Sequence, residues 1–366
     1  MTILDRLPPF PWDTLAGARD RARQHPEGFI DLTVGSPVDP APEVARAALT
    51  AAADAHGYPQ VIGTPHLREA MQGYLRDRWR VRAEVGVLPL LGTKEFVASL
   101  PNHLGVGAGE VVVHPEIAYP TYAVGAQLVR ADPVACDDPD RLTDLLDGRP
   151  VRVVWLNSPA NPHGAVLDVA QLRAWVQWCR AHGAVLASDE CYGEFGWQAD
   201  PVSALDPAVC DGDVAGLLAL FSESKRSNMA GYRAGFVAGD PALVHELIEI
   251  RRHAGMMPPA PVQAAMTATL TSTDHVREQR ARYQARRDQL QPALLNAGWR
   301  IDHSEGGLYL WVTRGDFSSA LDIVDHFAEL GILVAPGDFY GNQTHVRVTL
   351  TASDADIAAA AGRLSR

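Results

Sequence analysis

Lysine is nearly absent from this chain, although positive charge is not. Of its 32 basic residues only Lys94 and Lys225 are lysines, and the other thirty are arginines. Arginine serves any surface role but holds its proton, whereas a lysine amine can lose its proton and act as a nucleophile. The count leaves two interpretations open: compositional drift, or retention of these two residues for the chemistry of their amines.

A surplus of positive charge is also lacking. Lys and Arg number 32 against 44 Asp and Glu, which gives a formal net charge of −12. A surface with this balance repels phosphate backbones, so nucleic acid is not an expected partner. Hydrophobic residues make up 47% of the 366, enough for an ordinary globular core. At roughly 100–200 residues per domain, the length predicts two domains, one large and one small.

Long apolar runs are missing as well. No stretch approaches the ~18 apolar residues of a membrane span, so no membrane partner is expected. The N-terminus, MTILDRLPPFPWDTL, lacks the basic and apolar regions of a signal peptide. Cysteine occurs at four positions whose spacing fits neither a zinc site nor a CxxC pair, so no metal is expected: Cys136, Cys179, Cys191 and Cys210. Together these features predict a cytoplasmic protein.

The middle of the chain alternates strand-like with helix-like segments. The short apolar run at 151–156 is typical of a buried parallel strand. Asp168 opens a helix with a capping-box pattern, and Gly183 ends it. Strand patterns follow at 184–187 and 214–221. This rhythm predicts an α/β fold with a mostly parallel sheet covered by helices.

The C-terminal part has a different pattern, in which helices and short strands follow one another without a long parallel run. A helix pattern covers 275–297 and another 317–330, with strands at 308–312 and 346–350 and near residue 332, before an Ala-rich terminal helix. This pattern predicts a separate α+β domain. The predicted organisation is an N-terminal segment that belongs to the small domain and covers the site (1–44), a large domain (45–270) and a small domain (271–366).

Polar residues follow three of the predicted strands. Asn157 comes after the first strand, Asp189 after the second and Lys225 after the third. Ligands bind at the carboxyl ends of such strands, and a strand-end lysine can be desolvated, which frees its amine. These residues suit a pyridoxal-type cofactor, which needs a lysine amine for its aldehyde and an anion for its ring nitrogen. Tyr192 can donate to the ring oxygen, and the turn at Gly92 offers helix N–H groups to a phosphate.

Each of these residues also has an ordinary structural interpretation. A strand-end aspartate is more often a turn former, and a Gly-Thr pair at a helix start is more often a plain cap. A lone tyrosine such as Tyr192 is more often part of the core. Their joint order along the chain is what favours a cofactor site.

In that order the motifs resemble those of the fold-type I, class I/II aminotransferases, which depend on pyridoxal 5′-phosphate. NSPANPHG at 157–164 is similar to the family's NxPxNPTG, with His163 where the family usually has Thr. SDECY at 188–192 resembles the segment that carries the pyridinium partner. The run from Ser222 to Gly235 resembles the SxSKxxxxxGxRxG signature.

The resemblance implies a role for each matching residue. Lys225 is implied to form the Schiff base with the cofactor and to move the substrate α-proton in a ping-pong transfer. The residues implied to bind the cofactor are Asp189 at the ring nitrogen, Asn161 and Tyr192 at the ring oxygen, Tyr119 on the ring face, and, around the phosphate, Gly92, Thr93, Lys94, Ser222, Ser224, Arg233 and Tyr58 of a neighbouring subunit. The residues implied to bind the substrate carboxylate are Arg347, Gly35 and Asn161.

The resemblance also implies the fold and the assembly. The expected fold is α/β: a large domain with a mostly parallel, seven-stranded sheet between helices, plus a smaller α+β domain. The expected assembly is a homodimer with shared active sites that acts on small amino and keto acids.

Three segments carry a narrower resemblance, to actinobacterial-type N-succinyl-L,L-diaminopimelate aminotransferases. They are PPFPWD at 8–13, IDLTVGSPVD at 30–39 and GTKEFVASLP at 92–101. This implies glutamate as amino donor and N-succinyl-2-amino-6-oxopimelate as acceptor. Arg19 and Arg23, close to the first segment, are candidates to meet the distal carboxylates.

Other functions on the same fold stay open. The cofactor site also suits an aspartate- or alanine-type aminotransferase or a carbon–sulfur lyase. A regulator built on this fold would carry an additional DNA-binding domain. The roughly 30 residues before Gly35 and the negative net charge both disfavour that function.

Overall fold

The computed structural model describes residues 3–8 and 10–366. Met1 and Thr2, in the predicted N-terminal segment, and Pro9, in the motif at 8–13, lie outside the described residues. The strands are β1 (Ile30–Asp31), β2 (Gly86–Leu90), β3 (Val111–His114), β4 (Asp132–Ala135), β5 (Val151–Asn157), β6 (Val185–Asp189), β7 (Leu217–Ser222), β8 (Gly235–Gly239), β9 (Arg300–Asp302), β10 (Tyr309–Thr313), β11 (Ile332–Leu333), β12 (Ala335–Pro336) and β13 (Val346–Thr349).

The helices connect and cover these strands. They are α1 (Ala16–Arg23), α2 (Glu43–Ala51), α3 (Pro65–Trp79), α4 (Thr93–His103), α5 (Thr121–Leu128), α6 (Pro139–Leu145), α7 (Val169–His182), α8 (Pro207–Cys210), α9 (Glu223–Arg226), α10 (Pro241–Ala254), α11 (Ala260–Leu270), α12 (Asp274–Asn296), α13 (Ala320–Glu329) and α14 (Asp354–Leu364). Short 3-10 turns lie at Leu4–Arg6, Pro11–Leu15, Ala230–Tyr232 and Gly337–Tyr340.

A seven-stranded sheet forms the centre of the larger part. Its strand order is β2-β8-β7-β6-β5-β3-β4, and only β8 runs antiparallel to its neighbours. The side chains of β5 alternate between two cores: Val153 and Trp155 pack on one face of the sheet, and Val154 and Leu156 on the other. This double burial is why the strand reads as a continuous apolar run. The predicted α/β fold with a mostly parallel, seven-stranded sheet is confirmed.

Helix α7 shows how local sequence sets an element's ends. The Asp168 side chain accepts from the Gln171 backbone N–H at 2.9 Å, and the Gln171 side chain accepts from the Asp168 N–H at 2.9 Å. Gly183 ends the helix in the left-handed region, with φ of 64°. This capping box and glycine stop satisfy backbone groups that a helix end leaves open, as the sequence predicted.

The C-terminal part contains an antiparallel four-stranded sheet with the order β12-β13-β10-β9. The long helix α12 packs on α14 beside it. Strand β1 from the N-terminal segment pairs in parallel with β11, so residues 30–31 are tied to this part of the molecule. The exact division into 1–44, 45–270 and 271–366 stays a prediction.

Within residues 3–8 and 10–366, no helix combines the length and the apolar character needed to cross a membrane. The same part of the chain contains no cluster of three or more His, Cys, Asp or Glu side chains that could hold a metal ion.

Candidate active site

A cavity of about 240 Å³ lies where β5, β6 and β7 end, between the central sheet and the C-terminal part. Parallel strands place their carboxyl ends at one edge, so residues distant in sequence converge there. The predicted site residues that line it are Gly35, Thr93, Lys94, Tyr119, Asn161, Asp189, Tyr192, Ser222, Ser224, Lys225, Arg233 and Arg347. Asn157, which the strand-end pattern indicated, also lines it. The lining residues that sequence reasoning missed are Trp12, Val34, Ser36, Val97, Tyr122, Cys191, Ala230 and Tyr309.

Lys225 projects from the short helix α9, directly after the fully buried strand β7. The Ser222 side chain caps this turn by accepting from the Ser224 N–H at 3.2 Å. Among the described residues, no hydrogen bond or ion pair occupies the Lys225 amine, although its positive charge acts on Asp189. The amine is therefore available for a ligand in the cavity.

Asp189 ends β6 and is almost completely buried. The Tyr122 hydroxyl donates to its Oδ2 at 2.8 Å, and the Cys191 backbone N–H donates to Oδ1 at 3.2 Å. Burial raises the pKa of this carboxyl, while hydrogen bonds from Cys191 and Tyr122 and the charge of Lys225 oppose that rise. A cationic ligand beside Asp189 would favour its ionised form further, because opposite charges stabilise each other when both are buried.

The neighbouring carboxyl, Glu190, is not among the residues that line the cavity. Its Oε1 accepts from the Ala204 N–H at 2.8 Å, and burial raises its pKa to about 7. Of the two adjacent acids, only Asp189 therefore faces the cavity.

Tyr122 is the omission with the clearest signal in the sequence. It lies three residues after Tyr119, at the start of α5, and its ring stacks on Trp155 with centroids 5.3 Å apart. The family resemblance implies a role for Tyr119 alone, yet residues three apart at a helix start can face the same cavity. Both tyrosines line it.

Arg347, on β13, is a buried cation without an acidic partner in the described part of the chain. Its Nη1 donates to the Asn161 side-chain oxygen at 2.8 Å, and Nη2 donates to the Thr33 carbonyl. The Nε is buried and has no hydrogen-bond partner among the described residues. An unpaired buried charge is costly, so the site favours an anionic ligand, and a planar guanidinium matches a carboxylate.

A second anion-binding region lies at the N-terminus of α4. Gly92 occupies the cap position with φ of 81° and provides no side-chain cap, so within the described residues no side chain caps the first N–H groups of the helix. A Cβ at Gly92 would overlap the guanidinium of Arg233, which explains the glycine although it does not itself line the cavity. The Lys94 amine lies 5.7 Å from the centre of the Tyr119 ring. Free N–H groups, the helix dipole and two cations suit a phosphate.

Two phenols meet in the cavity. The hydroxyls of Tyr192 and Tyr309 are 2.9 Å apart, and both side chains are buried. A Cβ at Gly35 would overlap the Tyr309 hydroxyl, so only glycine fits at this point of the loop. Tyr309 had no motif of its own, because its position opposite Tyr192 arises from two elements 117 residues apart.

Besides Gly92, three candidates lie outside this cavity. Tyr58 is fully exposed in the single chain, and its predicted contact with a neighbouring subunit's phosphate stays a prediction. Arg19 and Arg23 are not among the lining residues, so the structure does not support either as the cation for a distal carboxylate.

The residues present fit the cofactor that the sequence predicts. In the described part of the chain, a lysine amine without a partner, a buried carboxylate and a helix N-terminus without a side-chain cap meet the needs of an aldehyde, a ring nitrogen and a phosphate. The guanidinium of Arg347, which has no acidic partner among the same residues, remains for a substrate carboxylate.

Comparisons with known proteins agree with this geometry. A family model for class I and II aminotransferases matches residues 27–364. The chain is 53% identical over 362 residues to the 4-dedimethylamino-4-oxo-anhydrotetracycline transaminase of Streptomyces rimosus, covering 98% of this chain and 99% of that protein. It is also 53% identical over 363 residues to a probable aminotransferase of Mycobacterium tuberculosis, covering 98% of this chain and 85% of that protein. A solved aminotransferase structure from Neisseria meningitidis matches with a TM-score of 0.89 at 30% identity, covering 99% of this chain and 98% of that one.

Proposed function

Because the chain belongs to the class I and II aminotransferase family, we propose that it transfers an amino group from glutamate to N-succinyl-2-amino-6-oxopimelate, a precursor of diaminopimelate and lysine. The enzyme is a transferase of amino groups, and the cofactor of its family is pyridoxal 5′-phosphate. Support for this acceptor comes from the segments at 8–13, 30–39 and 92–101, which resemble those of N-succinyl-L,L-diaminopimelate aminotransferases.

The observation that carries the proposal is the convergence of Lys225, Asp189 and Arg347 on one cavity. Each has a chemistry that amino transfer needs: a free amine, a buried carboxylate and an unpaired guanidinium. Both glutamate and the proposed acceptor present a carboxylate next to the reacting carbon. One guanidinium therefore orients either substrate in turn.

Pyridoxal 5′-phosphate, when bound, supplies an aldehyde that carries the amino group and a ring that withdraws electrons from the substrate α-carbon. In the proposal, Lys225 Nζ accepts the α-proton of the donor as a general base and later returns a proton as a general acid. The Asp189 carboxylate, held in place by the Tyr122 hydroxyl, would pair with the ring nitrogen and favour its protonated form.

The proposed positions around the phosphate follow from the anion-binding region at α4. Thr93, Lys94, Ser222, Ser224 and Arg233 surround it, and Gly92 makes room for Arg233. Asn161 links the two ends of the site, since its side chain already accepts from Arg347 and its backbone N–H donates to the Asn157 side chain at 2.7 Å.

Acceptor preference tests the substrate. With glutamate as donor, we expect kcat/KM for the succinylated keto acid to exceed that for oxaloacetate or pyruvate by at least about tenfold, which corresponds to about 1.4 kcal/mol of transition-state stabilisation. The physical reason is the longer substrate's additional contacts beyond the reacting carbon. The measurement is 2-oxoglutarate release at equal acceptor concentrations. A strong preference for oxaloacetate or pyruvate would reject the acceptor and leave amino transfer standing.

A polycyclic ketone is the second candidate acceptor, because the Streptomyces rimosus relative is named for one and is 53% identical over nearly the whole chain. Arg347→Gln separates the two. In a half-reaction started from the aminated cofactor form, this variant should use the succinylated keto acid poorly, because its carboxylate loses the guanidinium. A ketone without such a carboxylate should react as in the wild type. If the wild type uses the polycyclic ketone best, the second candidate replaces the first.

Shared active sites form a further part of the proposal, resting on the full exposure of Tyr58 in the single chain. If Tyr58 serves the partner's phosphate, a hybrid of Tyr58→Ala and Lys225→Ala subunits contains one intact site. Random reassembly of equal amounts should then restore about a quarter of wild-type activity by symmetry. Light scattering checks the dimer, and activity no higher than the mean of the two parent variants would argue against shared sites.

We also propose a cytoplasmic location. The described cysteines Cys136, Cys179, Cys191 and Cys210 are all unpaired, which suits a reducing compartment.

A further inference from the structure

The hydroxyls of Tyr192 and Tyr309 form an isolated pair. They lie 2.9 Å apart, with the rings edge to face and their centroids at 5.5 Å. Both side chains are buried and both line the active-site cavity. Among the described residues, neither hydroxyl has another hydrogen-bond partner. Whatever else either phenol binds must therefore lie in the cavity.

The number of protons restricts how this pair can work. A phenol has one hydrogen to donate and lone pairs that accept. If Tyr192 donates to Tyr309, it presents only lone pairs to the cavity. If Tyr309 donates to Tyr192, the hydrogen of Tyr192 is free to point at a ligand. An acceptor oxygen in the cavity selects the second arrangement, and the bond from Tyr309 then strengthens the donation by Tyr192, because chained hydrogen bonds polarise one another.

The ring of Tyr309 makes a second contact with the site. Its centroid lies 4.1 Å from the guanidinium carbon of Arg347, within the range of a cation–π interaction. The absence of a Cβ at Gly35 lets the Tyr309 hydroxyl lie against that loop. The Tyr309 side chain thus contacts both the hydroxyl of Tyr192 and the guanidinium of Arg347.

We propose that Tyr309 is a positioning residue with two separable effects. This inference rests on the proposed function, because the oxygen that accepts the hydrogen bond from Tyr192 is the ring oxygen of pyridoxal phosphate. Its hydroxyl directs the proton of Tyr192 into the cavity and so sets the acidity of the bound chromophore. Its ring supports Arg347 and so sets the affinity for substrate carboxylates. In this arrangement Tyr309 touches neither the substrate α-carbon nor the cofactor aldehyde.

The hydroxyl is tested by titrating the absorbance of the holoenzyme with pH, without substrate. Tyr309→Phe removes the donor and keeps the ring. Weaker donation by Tyr192 leaves the ring oxygen more basic, so the midpoint should rise by roughly 0.5 to 1 pH unit. In a Tyr192→Phe background, Tyr309→Phe should not shift the midpoint further, because the Tyr309 hydroxyl affects the ring oxygen only through the hydroxyl of Tyr192.

The ring is tested by steady-state kinetics. Tyr309→Phe should leave KM for glutamate within about twofold of wild type, since the face over Arg347 remains. Tyr309→Leu should show the same midpoint shift and also raise KM several-fold. A purely structural role would change cofactor content and melting temperature in both variants and would not separate KM from the titration midpoint.

An isosteric replacement covers the case in which these variants fold poorly. Tyr309→3-fluorotyrosine keeps the shape and makes the phenol a stronger donor, so the midpoint should move to lower pH. An unchanged midpoint in the Phe and fluorotyrosine proteins would overturn the proposal, as would equal shifts with and without Tyr192. If the wild type bound no pyridoxal phosphate, the proposed function would fail together with this inference. A different preferred acceptor would leave the inference intact.

Discussion

Lys225→Ala should reduce amino transfer by a factor on the order of 10²–10⁴ or more, the range over which a positioned acid–base group accelerates proton transfer. Its amine has no partner among the described residues and lies in the same cavity as Asp189, so its loss removes the base without breaking a structural contact. Partial rescue by a small primary amine, which fits the space left by the side chain, would show that the lost group is the amine.

The two-lysine composition allows a matched control. Borohydride should fix the cofactor aldehyde to the Lys225 peptide in the wild type and equally in Lys94→Arg, which keeps the charge at position 94 but not the amine. Peptide mass spectrometry reads the position directly. Label on Lys94, or Lys225→Ala with activity near that of the wild type, would refute the assignment.

Asp189→Ala should leave the cofactor bound and slow its half-reaction with glutamate on the order of 10²–10³-fold, the usual cost of removing one preorganised electrostatic partner. Without the carboxylate, a buried ring nitrogen loses its proton and withdraws electrons less strongly. Stopped-flow absorbance measures the half-reaction at saturating glutamate.

Two variants separate charge from shape at this position. Asp189→Asn keeps an oxygen for the Tyr122 hydroxyl and removes the charge, so it should be nearly as slow as Asp189→Ala. Tyr122→Phe keeps the charge and removes a 2.8 Å hydrogen bond, so its loss should be smaller. A half-reaction in Asp189→Asn as fast as in the wild type would show that this carboxylate is not the partner of a ring nitrogen.

Several parts of the site were predictable because one local pattern specifies each of them. Strand-end positions predict Asn157, Asp189 and Lys225 at the same edge of the sheet, and all three line the cavity there. Gly92 before a helix predicted an open N-terminus, and α4 has one. In each case chain direction and backbone geometry determine where the residue lies, so the residues next to it in sequence are enough to predict its position.

Tyr122 and Tyr309 show what local pattern leaves out. Tyr122 matters because it donates to Asp189, 67 residues away in sequence, and Tyr309 because it meets Tyr192, 117 residues away. Nothing near Tyr309 in the sequence distinguishes it from a core aromatic, and the only local signal for Tyr122 is its spacing of three residues from Tyr119. The distal-carboxylate candidates Arg19 and Arg23 illustrate the reverse: proximity to Trp12 in sequence did not bring them to the cavity that Trp12 lines.

By itself, the sequence determined the α/β class, the mostly parallel sheet and the order of the cofactor motifs, since periodicity, caps and strand ends are properties of short segments. Only the tertiary structure decided which side chains complete the site. The antiparallel C-terminal sheet brings Arg347 and Tyr309 to the carboxyl edge of the large sheet. There Arg347 is buried with no acidic partner among the residues that the structure describes, and the Tyr309 hydroxyl lies against that of Tyr192. Hydrogen-bond partners, burial and the presence or absence of a counter-ion all depend on packing between distant segments. A local sequence pattern cannot predict them.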